Sequence, residues 1–288
     1  MSLGIGIIAS QRNRLLLDQY AGAAAAYSLR KLRSGYTGSA IRVRRSSDNT
    51  EQDIGFTSAG NLNESALTTF VGANNGFVVT WYDQSGNAKN ATQSTAGSQP
   101  QIVSSGSILT TNSKPCLTFD GTNDYLNNTQ SSTNLFATNY SVFVVHNVTG
   151  GGIRKFIIET TNPSSNIFNP AIEYNGALPT NIRIWSGETS SFVNTTSTNT
   201  FSSNVQRLIT SLKNGTTIQE IFVNNLSEGS SRAVIPANNI TGYNIGTYRS
   251  ADDRWFGGTM QELILYSSYQ SSNRTGISFN INTYFNIY

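Results

Sequence analysis

The sequence predicts an all-β chain of two stacked antiparallel sheets, with one short helix near its N terminus. Three observations lead there. Apolar runs of strand length recur through the chain, separated by turn-forming residues. Asn, Ser, Thr and Gly dominate the remainder, and these favour turns and strand surfaces over helix interiors. Charged residues make up only 12%, so aromatic and β-branched residues, not charge, must keep the chain folded. A length of 288 residues suits one such domain.

Taken in order, residues 1–20 read as an arm, apolar and glycine-broken at Ile5, Ile7 and Ile8, then basic at Arg12 and Arg14. The apolar run is too short for a membrane span and lacks the basic leader of a secretory signal. Residues 21–288 read as one domain. Its first stretch, "AGAAAAYSLRKLRSGYTG" (21–38), predicts the helix, because Ala23 to Ala26 have top helix propensity and Gly35 is placed to end it. The period then changes. "AIRVRRSS" alternates Ile41 and Val43 with Arg42 and Arg44, the pattern of a half-buried strand with its arginines outward. Ten further runs read as strands, from "GFVVTWY" (76–82) through "KFIIET" (155–160), "IRIWSG" (182–187) and "MQELILYS" (260–267) to "ISFNINTYFNIY" (277–288). Leu117 with Phe119, and Leu263 with Leu265, should face one core at period two.

Few residues carry obvious chemistry. Cys116 is the single cysteine and His146 the single histidine, which excludes an internal disulfide and a histidine-rich metal site. His146 lies within a strand pattern and reads as structural. In "WYDQSGNAKN" (81–90), Asp83, Gln84 and Ser85 form an acid, an amide and a hydroxyl in sequence. Without a neighbouring histidine they make no triad, and Asp83 reads as the acceptor of an Asx turn. Asp120 and Asp124 flank Gly121 and read as a hairpin, too few oxygens for a calcium cage. Neither a metal nor a cofactor is expected. Residues 1–50 hold eight basic side chains against two acids, among them Arg42, Arg44 and Arg45. Such a face suits docking to another protein better than nucleic acid.

Some segments are familiar in their order. "LTFDGTNDYL" (117–126), "RLITSLKNGTTIQEIFVNNL" (207–226) and "FGGTMQELILYSS" (256–268) resemble elements of laminin-G-like and concanavalin-like domains. That resemblance implies a jelly-roll sandwich. The front, residues 23–56 followed by "WYDQSGNAKNATQ" (81–93), is similar to the opening of the catalytic domain of family 54 α-L-arabinofuranosidases. It also resembles lectin-like proteins of tailed bacteriophages.

The two resemblances imply different functions. A retaining glycosidase needs two carboxyls about 5–5.5 Å apart. Downstream the chain offers Glu159, Glu173, Glu188, Glu220, Asp252, Asp253 and Glu262. None stands in a motif matching the family's pair; Glu173, in "AIEYNG", comes nearest. The expectation is therefore a non-enzymatic virion structural protein of tail, ring, fibre or capsid. It would dock on other virion subunits through Ile5, Ile7, Ile8, Arg12, Arg14, Arg42, Arg44 and Arg45, as a homo-oligomer within the phage particle. The alternatives are a module binding host surface glycans, through Trp185, Trp255, Asn181, Asp252 and Asp253, and an arabinofuranosidase-like glycosidase. Trp side chains offer sugar rings a stacking face, and amides and carboxylates fix hydroxyls.

Overall fold

The computed structural model describes residues 14–288 except 130–135, 137, 151–153, 162–166, 189–190, 233–241 and 249–253. Among the described residues every strand pairing is antiparallel, and the strands form two stacked layers joined along one edge. The first layer is built on the long strand Gly257–Tyr266. Asn139–Gly150 pairs along one side of it, followed outward by Gln206–Asn214, Ile218–Val223 and Leu226–Ser231. Ala23–Ser28 and Leu117–Asp120 share its other side. The second layer runs Ala91–Thr92, Leu126–Asn128, Gly242–Ile245, Lys155–Thr161, Ile167–Tyr174, Ile182–Glu188 and Ser191–Thr196. Gly76–Trp81 ties the layers together by pairing with Ala91–Thr92, Ile41–Arg45 and Gln101–Ser104.

Alternation along Gly257–Tyr266 divides the burial. Leu263 and Leu265 face the main core between the layers, with Leu117, Phe119, Trp81 and Tyr27. Ile264 and Tyr266 face a second core on the far side of the same sheet. That second core is roofed by the helix Arg274–Phe285 and by Leu16 and Leu17 of a short helical turn. The last residues of the sequence-predicted arm therefore pack on the folded body.

Two expectations fail here. Ala23–Ser28 is a strand, not a helix, although its alanines are the best helix formers. It hydrogen-bonds to Gly257–Tyr266 and is buried along its whole length. Ala25 and Tyr27 enter the main core and Ala23 and Ala26 the second, so tertiary pairing overrides a weak local preference. Conversely, the expected last strand is the helix Arg274–Phe285, because Ile277, Ile281 and Phe285 at four-residue spacing fill the second core.

The helix covers a buried ion pair. Arg30 Nε and Nη2 lie 2.7 and 2.9 Å from the Glu262 carboxylate, which also accepts from Ser28 Oγ at 2.8 Å. The guanidinium sits 4.8 Å from the Tyr284 ring centroid. Arg30→Met strands the fully buried carboxylate and is expected to cost about 3–5 kcal/mol, read as a lowered urea midpoint with unchanged m value.

His146 is also fully buried, with Nε2 2.8 Å from the Tyr174 hydroxyl. Burial, reinforced by the nearby Arg207 charge, pushes its pKa down to about 3. The unfolded imidazole titrates near 6.5, so between about pH 6.5 and pH 3 the unfolded chain holds the extra proton. Stability should fall with pH through that window, by at most about 1.4 kcal/mol per unit for one proton. His146→Gln should flatten this slope in melting curves taken from pH 7 to pH 4; an unaltered slope would remove His146 as its source.

Candidate active site on the outward sheet face

Side chains of the second layer alternate between the core and the outward face, apart from a bulge in Lys155–Thr161 that turns both Ile157 and Ile158 into the core. Ile158, Ile172, Tyr174, Ile182, Ile184, Tyr243 and Ile245 point into the main core. Their neighbours Glu159, Ala171, Glu173, Arg183, Trp185 and Asn244 therefore share the outward face. Strand register then sets them in rows. Asn127, Asn244, Glu159, Ala171, Trp185 and Asn194 lie directly opposite one another across six strands. Glu173 is two residues from Ala171, which makes it the diagonal neighbour of Glu159, about 7–8 Å away by backbone.

Glu173 is the anchor of this face. Arg154 grips it as a fork, Nε to Oε2 at 2.5 Å and Nη2 to Oε1 at 2.6 Å. Trp185 Nε1 donates to Oε1 at 2.8 Å, and Arg183 Nη2 lies 3.1 Å from the same oxygen. Oε1 thus meets three donors, whereas Oε2 meets Arg154 alone among the described residues. Both arginines stack on the Trp185 ring, with guanidinium carbons 5.6 and 5.0 Å from its centroid. Phe156 and Tyr248 pack beside them, ring centroids 4.8 Å apart, and Arg254 lies over Tyr248. Burial lowers the Arg183 pKa, and Glu173 partly restores it. Glu159 and Glu173 are both buried, while Arg154, Arg183 and Trp185 are partly open to solvent.

The other sequence-derived candidates scatter. Asn181 spends its amide on the carbonyls of Ser197 and Asn199. Trp255 is half-buried on the outward side, with its ring 5.9 Å from Tyr125. Asp252, Asp253, Ile5, Ile7, Ile8 and Arg12 lie outside the described residues, and Arg14 is exposed. Arg42 pairs with Glu51 and Asp53, and Arg45 with Asp48. Arg44, expected to face outward, is instead buried against Phe77, because its guanidinium bonds to Gln99 and Asn49. Glu262 belongs to the ion pair described above, and Glu220 accepts from the Tyr269 hydroxyl. Asp120 Oδ1 accepts from the N–H groups of Thr122 and Asn123, and Asp124 Oδ2 from that of Asp120. Burial, then the neighbouring Asp120 charge, pushes the Asp124 pKa up to about 7.

Asp83 and Gln84 are structural, as the turn chemistry implied. Asp83 Oδ1 accepts from the N–H of Ala26 and of Ser85, and Oδ2 from Ser85 Oγ and the N–H of Lys89. Gln84 bonds the backbone at Leu32, Ser28 and Arg30. Together they clip the loop to the Ala23–Ser28 strand, far in sequence from either glutamate.

The model of the family "Alpha-L-arabinofuranosidase B, catalytic" matches residues 18–127. That segment holds the Asp83 clip and stops before Glu159 and Glu173. Among curated proteins no match is found. Among solved structures, a GH54 α-L-arabinofuranosidase soaked with a cyclic sulfate inhibitor is similar at 18% identity and a TM-score of 0.67, covering 92% of this chain and 64% of that one. An arabinofuranosidase complexed with arabinofuranosyl-α-1,2-xylobiose is similar to the same extent, 18% identity and a TM-score of 0.67 over 92% of this chain and 64% of that one. The binding domain of Paraclostridial Mosquitocidal Protein 1 is similar at 15% identity and a TM-score of 0.54, over 72% of this chain and 50% of that one. At these identities the likeness shows the fold, and the chain spans less than two thirds of the arabinofuranosidase chains. These findings overturn the expectation of a non-enzymatic virion structural protein. The family match is to a catalytic domain, the matched folds include inhibitor- and ligand-bound arabinofuranosidases, and nothing in them supports a phage origin.

Proposed function

We propose that the protein is a glycoside hydrolase of the arabinofuranosidase type, with Glu159 and Glu173 as its carboxyl pair. The observation that carries this reading is their placement as diagonal neighbours on one face of adjacent strands, with Trp185 bonded to Glu173 and partly open to solvent. Diagonal neighbours of this kind can bring carboxyl groups to the spacing that retaining glycosidases use. Glu173 suits the nucleophile. Its Oε1 is saturated by N–H donors, which fixes the group, and Oε2 keeps lone-pair capacity toward a sugar C1. Glu159, on the neighbouring strand, is then the acid that protonates the leaving oxygen and afterwards the base that deprotonates water. Trp185, partly open to solvent and bonded to Glu173, borders the place the sugar would take. The family match and the fold likeness support α-L-arabinofuranosides as the substrate class.

The test is release of nitrophenol from 4-nitrophenyl α-L-arabinofuranoside and of arabinose from arabinoxylan. Turnover lost in both Glu159→Gln and Glu173→Gln, with melting temperature retained, is the expected result. A wild-type protein inert toward both substrates would refute the reading.

A further inference from the structure

Beyond the carboxyl pair, the outward face carries a second group of side chains that the cleavage chemistry does not use. Tyr125 and Trp255 form a tilted pair, ring centroids 5.9 Å apart, and each is partly open to solvent. Leu126 and Phe256 beside them enter the main core, so alternation turns both rings outward. Tyr125 shares its face with Asn127, two residues along. Asn127 stands between Thr92 and Asn244 in register, and Asn244 stands opposite Glu159. With strands about 4.8 Å apart, Asn127 is about 10 Å from Glu159 across the sheet.

Exposure grades along this row. Thr92 is exposed, Asn127 half-buried, and Asn244 and Glu159 buried. The row therefore descends from open surface to the carboxyl pair. Its side chains before Glu159 are neutral, a hydroxyl and two amides, with two aromatic rings alongside. Neutral amides fit sugar hydroxyls, and outward rings fit the apolar faces of sugar rings.

We infer that Tyr125, Trp255, Asn127 and Thr92 form a platform for the polysaccharide main chain that bears the sugar to be removed. The main chain would lie across the strands with its branch directed down the row toward Glu159 and Glu173. This inference rests on the glycosidase reading, which it extends to the leaving-group side of the bond.

The test compares the wild-type protein with Trp255→Ala, Trp255→Phe and Asn127→Ala. The ratio of kcat/KM on arabinoxylan to that on 4-nitrophenyl α-L-arabinofuranoside is expected to fall at least tenfold in Trp255→Ala. A smaller fall is expected in Asn127→Ala, and recovery in Trp255→Phe. An unchanged ratio in well-folded Trp255→Ala would overturn the platform, as would an equal loss on both substrates. Retardation of the same proteins in arabinoxylan-containing native gels separates the two readings. If the wild type hydrolyses neither substrate yet is retarded, and Trp255→Ala is not, the platform stands and the glycosidase reading falls. If the wild type is not retarded and the ratio is unchanged, the platform falls by itself.

Discussion

Glu173→Ala is expected to lower turnover of 4-nitrophenyl α-L-arabinofuranoside by on the order of a thousandfold or more, the scale seen when one member of a catalytic unit is removed. On the proposed assignment, retention runs in two steps. In the first, the Glu173 carboxylate forms the bond to C1 as the C1–O bond breaks, and Glu159 gives its proton to the leaving oxygen. In the second, Glu159 takes a proton from water, which attacks C1 and frees Glu173. Added azide separates the two roles. Without the Glu173 carboxylate, azide can attack C1 directly while nitrophenolate departs with its electron pair, giving a glycosyl azide of inverted configuration. Without Glu159, azide instead intercepts the covalent intermediate on Glu173, and configuration is retained. Inversion in Glu173→Ala and retention in Glu159→Ala would fix the assignment. The reverse pattern would exchange the two roles, and full activity in either variant would remove that residue from the mechanism.

Loss of Arg154 should show a different signature. Arg154 holds both oxygens of Glu173 and stacks on the Trp185 ring, which donates to the same carboxylate. Its loss should act through the orientation of that carboxylate, so kcat should fall more than KM rises.

The sequence reveals the scaffold better than the site, for physical reasons. Leu263 and Leu265, like Leu117 and Phe119, alternate at period two and enter the main core as expected. The Ala23–Ser28 strand is hidden because burial on both faces removes the alternation that identifies a strand. "ISFNINTYF" fits two periods at once. Ile277, Phe279 and Ile281 alternate, yet Ile277, Ile281 and Phe285 also mark a helical stripe. The helix prevails and leaves Phe279 exposed.

The missed strand matters most. Ile167–Tyr174 contains Pro170 and Asn169, residues that argue against a strand interior, and it carries Glu173. With that strand unread, Glu173 has no face, and its relation to Glu159 cannot be drawn. Trp185 was legible as an aromatic at a strand end, but its partner Arg154 lies before a different strand. Only register across three strands unites them.

Asp83→Ala is expected to destabilise the fold by about 3–5 kcal/mol, with no separate effect on chemistry. Asp83 is nearly inaccessible and takes hydrogen bonds from three backbone N–H groups and one hydroxyl. Removing its carboxylate orphans the Ala26 N–H in the middle of a buried strand, and each such buried donor costs about 1–3 kcal/mol. The damage should spread, because Ala26 pairs with Ile264 in Gly257–Tyr266, the strand on which both cores depend. Ser85→Ala deletes one of the four bonds to Asp83, together with two exposed bonds from Asn87 to Ser85 Oγ, and should cost about 1–1.5 kcal/mol. Asp83→Asn keeps one acceptor oxygen but turns an NH2 group toward donors, so it should fall between the other two. Urea unfolding of the three variants should rank them in that order. If Asp83 were instead a catalytic acid, Asp83→Asn would abolish hydrolysis while leaving the unfolding midpoint where the wild type has it. A clip that holds loop to strand must show the opposite: a lowered midpoint, and kcat preserved at temperatures where the variant remains folded.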